Sequence, residues 1–241
     1  GPCDFLLGST WKPTIDIYGI FPMILGSSYV TAGSLIIGVP VGLLCAVYLA
    51  RFCPPRVYKY LKPAVDLLAG IPSIVYGFFG LVVIVPIMRD LFGGNGKSVL
   101  TASILLGIMI LPTLISVGEA SIRAVPESYY EGALALGATP EETVFKVMLP
   151  AAKSGLTAGV ILAIDRSIGE AMAVSMVAGN QPIIPDSLFS GVRTLTANIV
   201  LEMGYAADMH REALLATGVV LFIFILLINL SFSLLRRRDD K

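Results

Sequence analysis

Residues 131–150 read EGALALGATPEETVFKVMLP, a polar segment set between two membrane-length apolar stretches. Pro126 suits a first helical position, and the run Glu127 to Leu136 holds good helix formers before Gly137, a residue suited to the left-handed turn that ends a helix. Thr139 then caps a second helix, with Pro140 at its first position and Glu142 placed to complete a capping box. Leu149 and Pro150 close the segment against the next apolar run. The local signals predict two short helices joined by a tight turn. Such a hairpin is either an ordinary connection or a handle by which a soluble machine pushes on membrane helices. Its surroundings decide which.

Those surroundings are a membrane body. The chain is 56% hydrophobic and 14% charged, with mean hydropathy +0.83, far more apolar than a soluble domain. Five stretches approach the roughly 20 apolar residues that cross a hydrocarbon core. They lie near 24–50, 64–88, 98–118, 155–179 and 213–235. The second carries Asp66, and the fourth carries Asp165, Arg166 and Glu170. Lys and Arg are retained on the cytoplasmic side during insertion. With the C-terminus inside, the inner set is Arg51, Arg56, Lys59, Lys62, Arg123, Lys146, Lys153, Arg236, Arg237, Arg238 and Lys241, against Lys12, Arg89, Lys97, Arg193 and Arg211 outside. The expected layout is therefore an external segment at 1–23, a transmembrane body at 24–235 and a cytoplasmic tail at 236–241. Within the body, a cytoplasmic hairpin occupies 119–153 and an external loop 180–212.

Several classes of function are excluded or set aside. Net charge is zero, which offers nothing to nucleic acid. Cys3, Cys45 and Cys53 lack metal-ligand spacing and form no disulfide framework. The start, GPCDFLLGSTWKPT, lacks the three regions of a signal peptide. Gly93 to Ser98 ends in Gly-Lys-Ser but lacks the spacing and preceding strand of a nucleotide loop, so it is read as a turn and the chain offers no nucleotide site of its own. A single histidine, His210, removes Ser-His triads and paired-His metal sites, and neither metal nor cofactor is expected. Pro40, Pro72, Pro86 and Pro112 are expected to kink or interrupt helices.

The longer pattern of the hairpin resembles the EAA signature of ATP-binding-cassette importer permeases. It reads Glu131-Gly132-Ala133, then Gly137, then Val147, then Leu149-Pro150, with Gly132 in place of the usual alanine. The resemblance implies an all-α polytopic membrane protein with the type I importer permease fold. It also implies that Glu131, Gly132, Ala133, Gly137, Leu149 and Pro150 form the element docking on a cytoplasmic ATPase. Further stretches are similar to one subunit type, the phosphate-specific permeases. They are LLAGIPSIVYGFFGL (67–81), RSIGEAMAVSMVAGN (166–180), VRTLTANI (192–199) and EMGYA (202–206). Ala171 to Val174 favour this subunit over its companion permease. The implied partners are a homologous second permease subunit, an ATPase dimer, an external phosphate-binding protein and membrane lipid. Such permeases usually begin with a further span before a Trp-containing outer loop, whereas this chain starts near that loop at Trp11. That first span is expected to be missing, through truncation or natural shortening.

Arg166 is the candidate for substrate chemistry. A charged side chain at mid-span costs about 2.5–3.5 kcal/mol on insertion scales, so it should face protein or water. Glu170 lies one turn on, about 6 Å along the rise, which permits an ion pair. Gly155, Gly159, Ala163 and Ser167 repeat every four residues, a spacing that lets helices approach closely. Arg166 then belongs either to an anion path, with Glu170 positioning it, or to an ion pair that holds the bundle together. The resemblance favours the first, since this Arg and Glu match the transport-critical pair of such permeases. Asp165 departs from the family pattern and points about 100° away from Arg166. Bending back to Arg166, pairing with the companion subunit and protonation by desolvation all stay open for it. The stretch 179–211 is expected to meet a binding protein. Import of another oxyanion such as molybdate or sulfate, a membrane scaffold or signalling subunit, and an intramembrane acid–base pair of Asp165 and Glu170 are the alternatives.

Overall fold

The computed structural model describes the backbone of residues 2–239 and the side chains of residues 3–232. It begins with α1 (Pro2–Leu7) and an antiparallel ribbon of β1 (Trp11–Lys12) and β2 (Ile17–Tyr18). The helices that follow are α2 (Phe21–Phe52), α3 (Pro55–Ala69), α4 (Ser73–Phe92), α5 (Val99–Arg123), α6 (Glu127–Ala135), α7 (Pro140–Ala151), α8 (Lys153–Gly169), α9 (Met172–Val177), α10 (Leu195–Glu202) and α11 (Asp208–Asp239). Four of them, α2, α4, α5 and the Asp208–Phe232 part of α11, are long and apolar enough to cross a membrane; α7 and α8, bent by 71° at the break between them, are so only taken together, and as one span they make a fifth crossing. The protein is an all-α polytopic membrane protein. Backbone from the expected tail at 236–241 continues α11 to Asp239, and the side chains of that tail lie outside the described residues.

Two expected spans have different bounds. The run 64–88 breaks at Gly70–Pro72, where proline withholds an N–H and keeps Ile71 out of helical geometry. Residues 64–69 instead belong to α3, an amphipathic helix with no buried residue, and the crossing starts at Ser73. The run 155–179 ends as a helix at Gly169, since Glu170 is extended at φ −75°, ψ 118°. Its carboxylate accepts the Ala173 N–H at 3.1 Å, satisfying one of the free donors at the start of α9.

The core is organised around α5, whose apolar window is 67% buried against 17% for α11. Close approach is built in by small residues. A Cβ added to Gly38 or Gly42 of α2 would stand 2.7 Å from Ile110 or Leu114 of α5, and one added to Gly155 of α8 would meet Ser121. Gly159 faces Val117, Ala163 packs with Ile110 and Leu114, and Ser167 shares a 2.7 Å hydrogen bond with Ser34. The four-residue stripe of α8 is thus its contact line with α5 and α2.

Prolines shape the long helices in two ways. Pro40 and Pro112 sit inside α2 and α5 without ending them. Pro54, Pro86 and Pro150 each follow a π-turn, at Tyr48–Phe52, Gly80–Ile84 and Val144–Met148. In each case the residue before the proline, Cys53, Val85 or Leu149, donates its N–H to the carbonyl five residues back. At Pro86 and Pro150, where the helix continues, widening the turn accommodates a ring that would clash with the carbonyl four residues back; at Pro54 the chain leaves the helix through an extended Cys53.

The stretch 180–212, expected to be a turn-rich loop, carries α10. Thr194 caps this helix, and Leu195, Thr196, Ala197, Asn198 and Glu202 are buried. It packs against α2, α9 and α11, so this part of the stretch belongs to the core.

Candidate functional site

Arg166 lies in the last turn of α8, beside the break at Glu170, and is half-buried. Its Nη1 donates to Thr113 Oγ1 of α5 at 3.4 Å, the long end of the hydrogen-bond range. Tyr76 of α4 is within electrostatic reach of the same guanidinium. Among the described residues, Arg166 has no salt bridge and Thr113 is its only hydrogen-bond partner. The expected pairing with Glu170 is absent. The helix ends before Glu170, whose side chain turns to the Ala173 N–H while its backbone carbonyl accepts from Thr196 Oγ1 at 3.0 Å. Asp165 is half-buried, and its Oδ1 is enclosed without a hydrogen-bond partner. Three spans thus converge on a guanidinium whose planar donors are mostly unused, an arrangement able to take an oxyanion.

The hairpin follows its local signals closely. Gly137 has φ +91°, Ala138 N–H donates to Ala133 C=O and Gly137 N–H to Leu134 C=O, the paired bonds of a Schellman ending. Thr139 and Glu142 form the capping box. Pro126 stands one position earlier than expected, as the cap before α6, because its extended ψ of 136° starts the helix at Glu127. One face of the hairpin is anchored: Val144, Met148 and Ala152 are buried with Val47 and Ala50 of α2 and with Ile122 and Val125 beside the end of α5. The other face is open. Leu136 is 92% exposed, Glu131, Tyr129 and Phe145 are exposed, and nothing lies within 4 Å of a Cβ placed on Gly132 or Gly137.

Two polar clusters were not anticipated. Glu119, 3% exposed near the end of α5, accepts from Tyr58 at 2.6 Å and from Arg123 at 2.8 Å, and Lys62 stands 3.3 Å from its second oxygen. Lys62 also pairs with Asp66 of its own helix at 3.1 Å, and it is through Tyr58 and Lys62 reaching Glu119 that α3, which buries nothing of its own, is held to α5. Donation to Glu119, with burial adding, pushes the Tyr58 phenol above its ordinary pKa. Burial works against the Lys62 ammonium, but Asp66 and Glu119 outweigh it and hold its pKa above the usual value. On the opposite side of the bundle, Glu202 is the hub of the second cluster. It accepts from Trp11 Nε1 at 2.9 Å and from Arg193, and meets His210 Nε2 at 2.8 Å, tying the N-terminal ribbon, α10 and α11 together. The Glu119–Arg123 spacing of four residues was a readable signal for the first cluster.

A multi-span helical body, a span broken beside an under-partnered arginine and a hairpin with one open face define an inner-membrane transport permease. Residues 38–240 match the family described as "Binding-protein-dependent transport system inner membrane component", and the chain belongs to it. It is 42% identical over 237 residues to the "Probable ABC transporter permease protein YqgH" of Bacillus subtilis, covering 95% of this chain and 77% of that one. It is 35% identical over 246 residues to the "Phosphate transport system permease protein PstC" of Mesorhizobium japonicum, covering 93% and 75%. Its fold is similar to a chain in the structure titled "Inward facing conformations of the MetNI methionine ABC transporter: CY5 native crystal form", with TM-score 0.68 and 22% identity over 95% of this chain and 99% of that one. The chain is a permease subunit of an ABC importer, and its work is transport rather than catalysis.

Proposed function

We propose that this permease carries inorganic phosphate inward, with Arg166 receiving the anion in the last turn of α8, beside its end at Glu170. The observation that carries the reading is the sparse partnering of Arg166, a half-buried guanidinium with a single 3.4 Å bond. A tetrahedral oxyanion supplies the acceptors that the protein withholds. Thr113 orients the guanidinium, and the nearby carboxylates of Asp165 and Glu170 keep the site from holding the ion too tightly to release it. The relatives named as phosphate permeases, 32–35% identical over more than nine-tenths of this chain, support phosphate over other oxyanions.

The open face of the hairpin, with Glu131, Gly132, Ala133, Gly137 and Leu136, docks on a cytoplasmic ATPase dimer. Leu149 and Pro150 join it to the fifth crossing, whose 71° bend converts ATPase closure into motion near Arg166. The exposed apolar side chains of α4, including Ile74, Phe78, Val82 and Ile87, form a face for a homologous second permease subunit and for lipid. Exposed Leu188, Phe189 and Tyr205 on the outer side contribute the meeting surface for a phosphate-binding protein. The C-terminus is cytoplasmic in this arrangement. The test is ATP-dependent uptake of labelled phosphate in vesicles holding all partners, with sulfate and molybdate as competitors. Uptake blocked only by phosphate is expected. Competition by sulfate or molybdate would assign another oxyanion, and hydrolysis with no uptake would leave a scaffold role.

A further inference from the structure

The hairpin is joined to the membrane body covalently at α5 and α8. A third joint is made by side chains. Arg51, in the π-turn that closes α2, donates through Nη1 to both carboxylate oxygens of Glu127, at 2.9 and 3.1 Å, and its guanidinium lies 5.2 Å from the centroid of the Tyr130 ring. Glu127 and Tyr130 are both on α6, the first helix of the hairpin. Arg123, at the end of α5, grips the same π-turn by donating to the Leu49 carbonyl at 3.0 Å. Below these contacts lies the apolar cluster of Val47 and Ala50 with Val144, Met148 and Ala152.

The two kinds of contact do different things. Apolar side chains hold surfaces together but let them slide, whereas an ion pair combined with a ring contact fixes both a distance and an angle. Glu127 is 57% exposed, so the pair adds little to stability, and geometry is what it supplies. Further along, α2 is locked to α5 where Gly38 and Gly42 meet Ile110 and Leu114. A displacement of α6 that reaches Arg51 therefore moves the α2–α5 pair, and α5 carries Thr113, the partner of Arg166.

We propose that Arg51 is a positioning residue for transport: through Glu127 and Tyr130 it transmits displacement of the hairpin to α2. This rests on reading the hairpin as the ATPase-docking element. The experiment is the number of phosphate ions imported per ATP hydrolysed by the complete reconstituted transporter. Arg51→Met is expected to hydrolyse ATP near the wild-type rate while importing about fivefold less per ATP or lower. The doubly exchanged Arg51→Glu, Glu127→Arg protein should recover at least half of the ratio. Should Arg51→Met fail to assemble, Glu127→Gln, at an exposed position that leaves the π-turn untouched, decides by the same ratio. An unchanged ratio in the variants of a working complex overturns the inference, whether or not total activity falls. Absence of uptake by the wild-type complex would instead count against the phosphate reading.

Discussion

Arg166 and Glu119 sit on neighbouring helices of one bundle, yet the protein treats the two charges in opposite ways. Glu119 is surrounded from within: Tyr58, Arg123 and Lys62 all reach its carboxylate. Arg166 has Thr113 alone, at 3.4 Å, while the carboxylate best placed by sequence to pair with it caps the next helix instead. A charge enclosed for structural reasons must find its partners inside the fold, because leaving it unpaired costs several kcal/mol. A half-buried charge left with spare donors has room for a partner that the fold does not supply, which is the basis of the binding role proposed for Arg166. On that proposal the contrast is one between a fastening and a binding position.

Substitutions at four positions test that contrast. Arg166→Gln should lower phosphate uptake by about a hundredfold or more, since two charged hydrogen bonds to the anion are worth about 1.5–3 kcal/mol each, while the variant still co-purifies with its partners. Normal uptake by the assembled variant would erase the distinction. Glu119→Leu should cost about 2–4 kcal/mol of stability in a detergent melt, less than for a wholly buried cluster because Arg123 is half exposed. An unshifted melt would make Glu119 no more structural than Arg166. Thr113→Val should weaken uptake by about two- to tenfold, the worth of one hydrogen bond that orients the guanidinium, and Thr113→Ser should restore it. Equal loss in both would point to packing. Smallest of all, Asp165→Asn should tighten the apparent phosphate affinity a few-fold by removing a negative charge next to the path; weaker affinity would place Asp165 among the groups that favour the anion.

What was legible in the sequence follows the reach of each signal. The hairpin was readable almost atom by atom, because Gly137, Thr139 and Glu142 act on backbone groups within a few residues. The long apolar runs were readable from hydropathy, and Pro72 marked a helix interruption. Hydropathy nevertheless averages over Gly70–Pro72 and so starts the span too early, and it is blind to Glu170 trading an ion pair for a backbone N–H three residues on. Arg166 stood out as a charge in an apolar run, whereas its single partner, Thr113, lies 53 residues away. The Glu119 and Glu202 clusters join residues as far as 61 and 191 positions apart, and no periodicity or cap connects such positions. Trp11 and His210 were each visible as unusual residues, but only folding shows that one carboxylate collects them together with Arg193.

Two of the wide turns, those ahead of Pro86 and Pro150, run on into further helix and also bear on how the chain can change length. Each holds one residue beyond what an ordinary helical turn requires, so deleting a single residue there, together with its proline's demand for room, returns the helix to regular pitch with both flanks in phase. The same deletion in α5, tightly clasped along its length, would swing every residue past the cut by about 100° and turn its inward face toward lipid. Tolerance of lost residues should accordingly cluster at these slack loops of helix, leaving the central rod fixed in length.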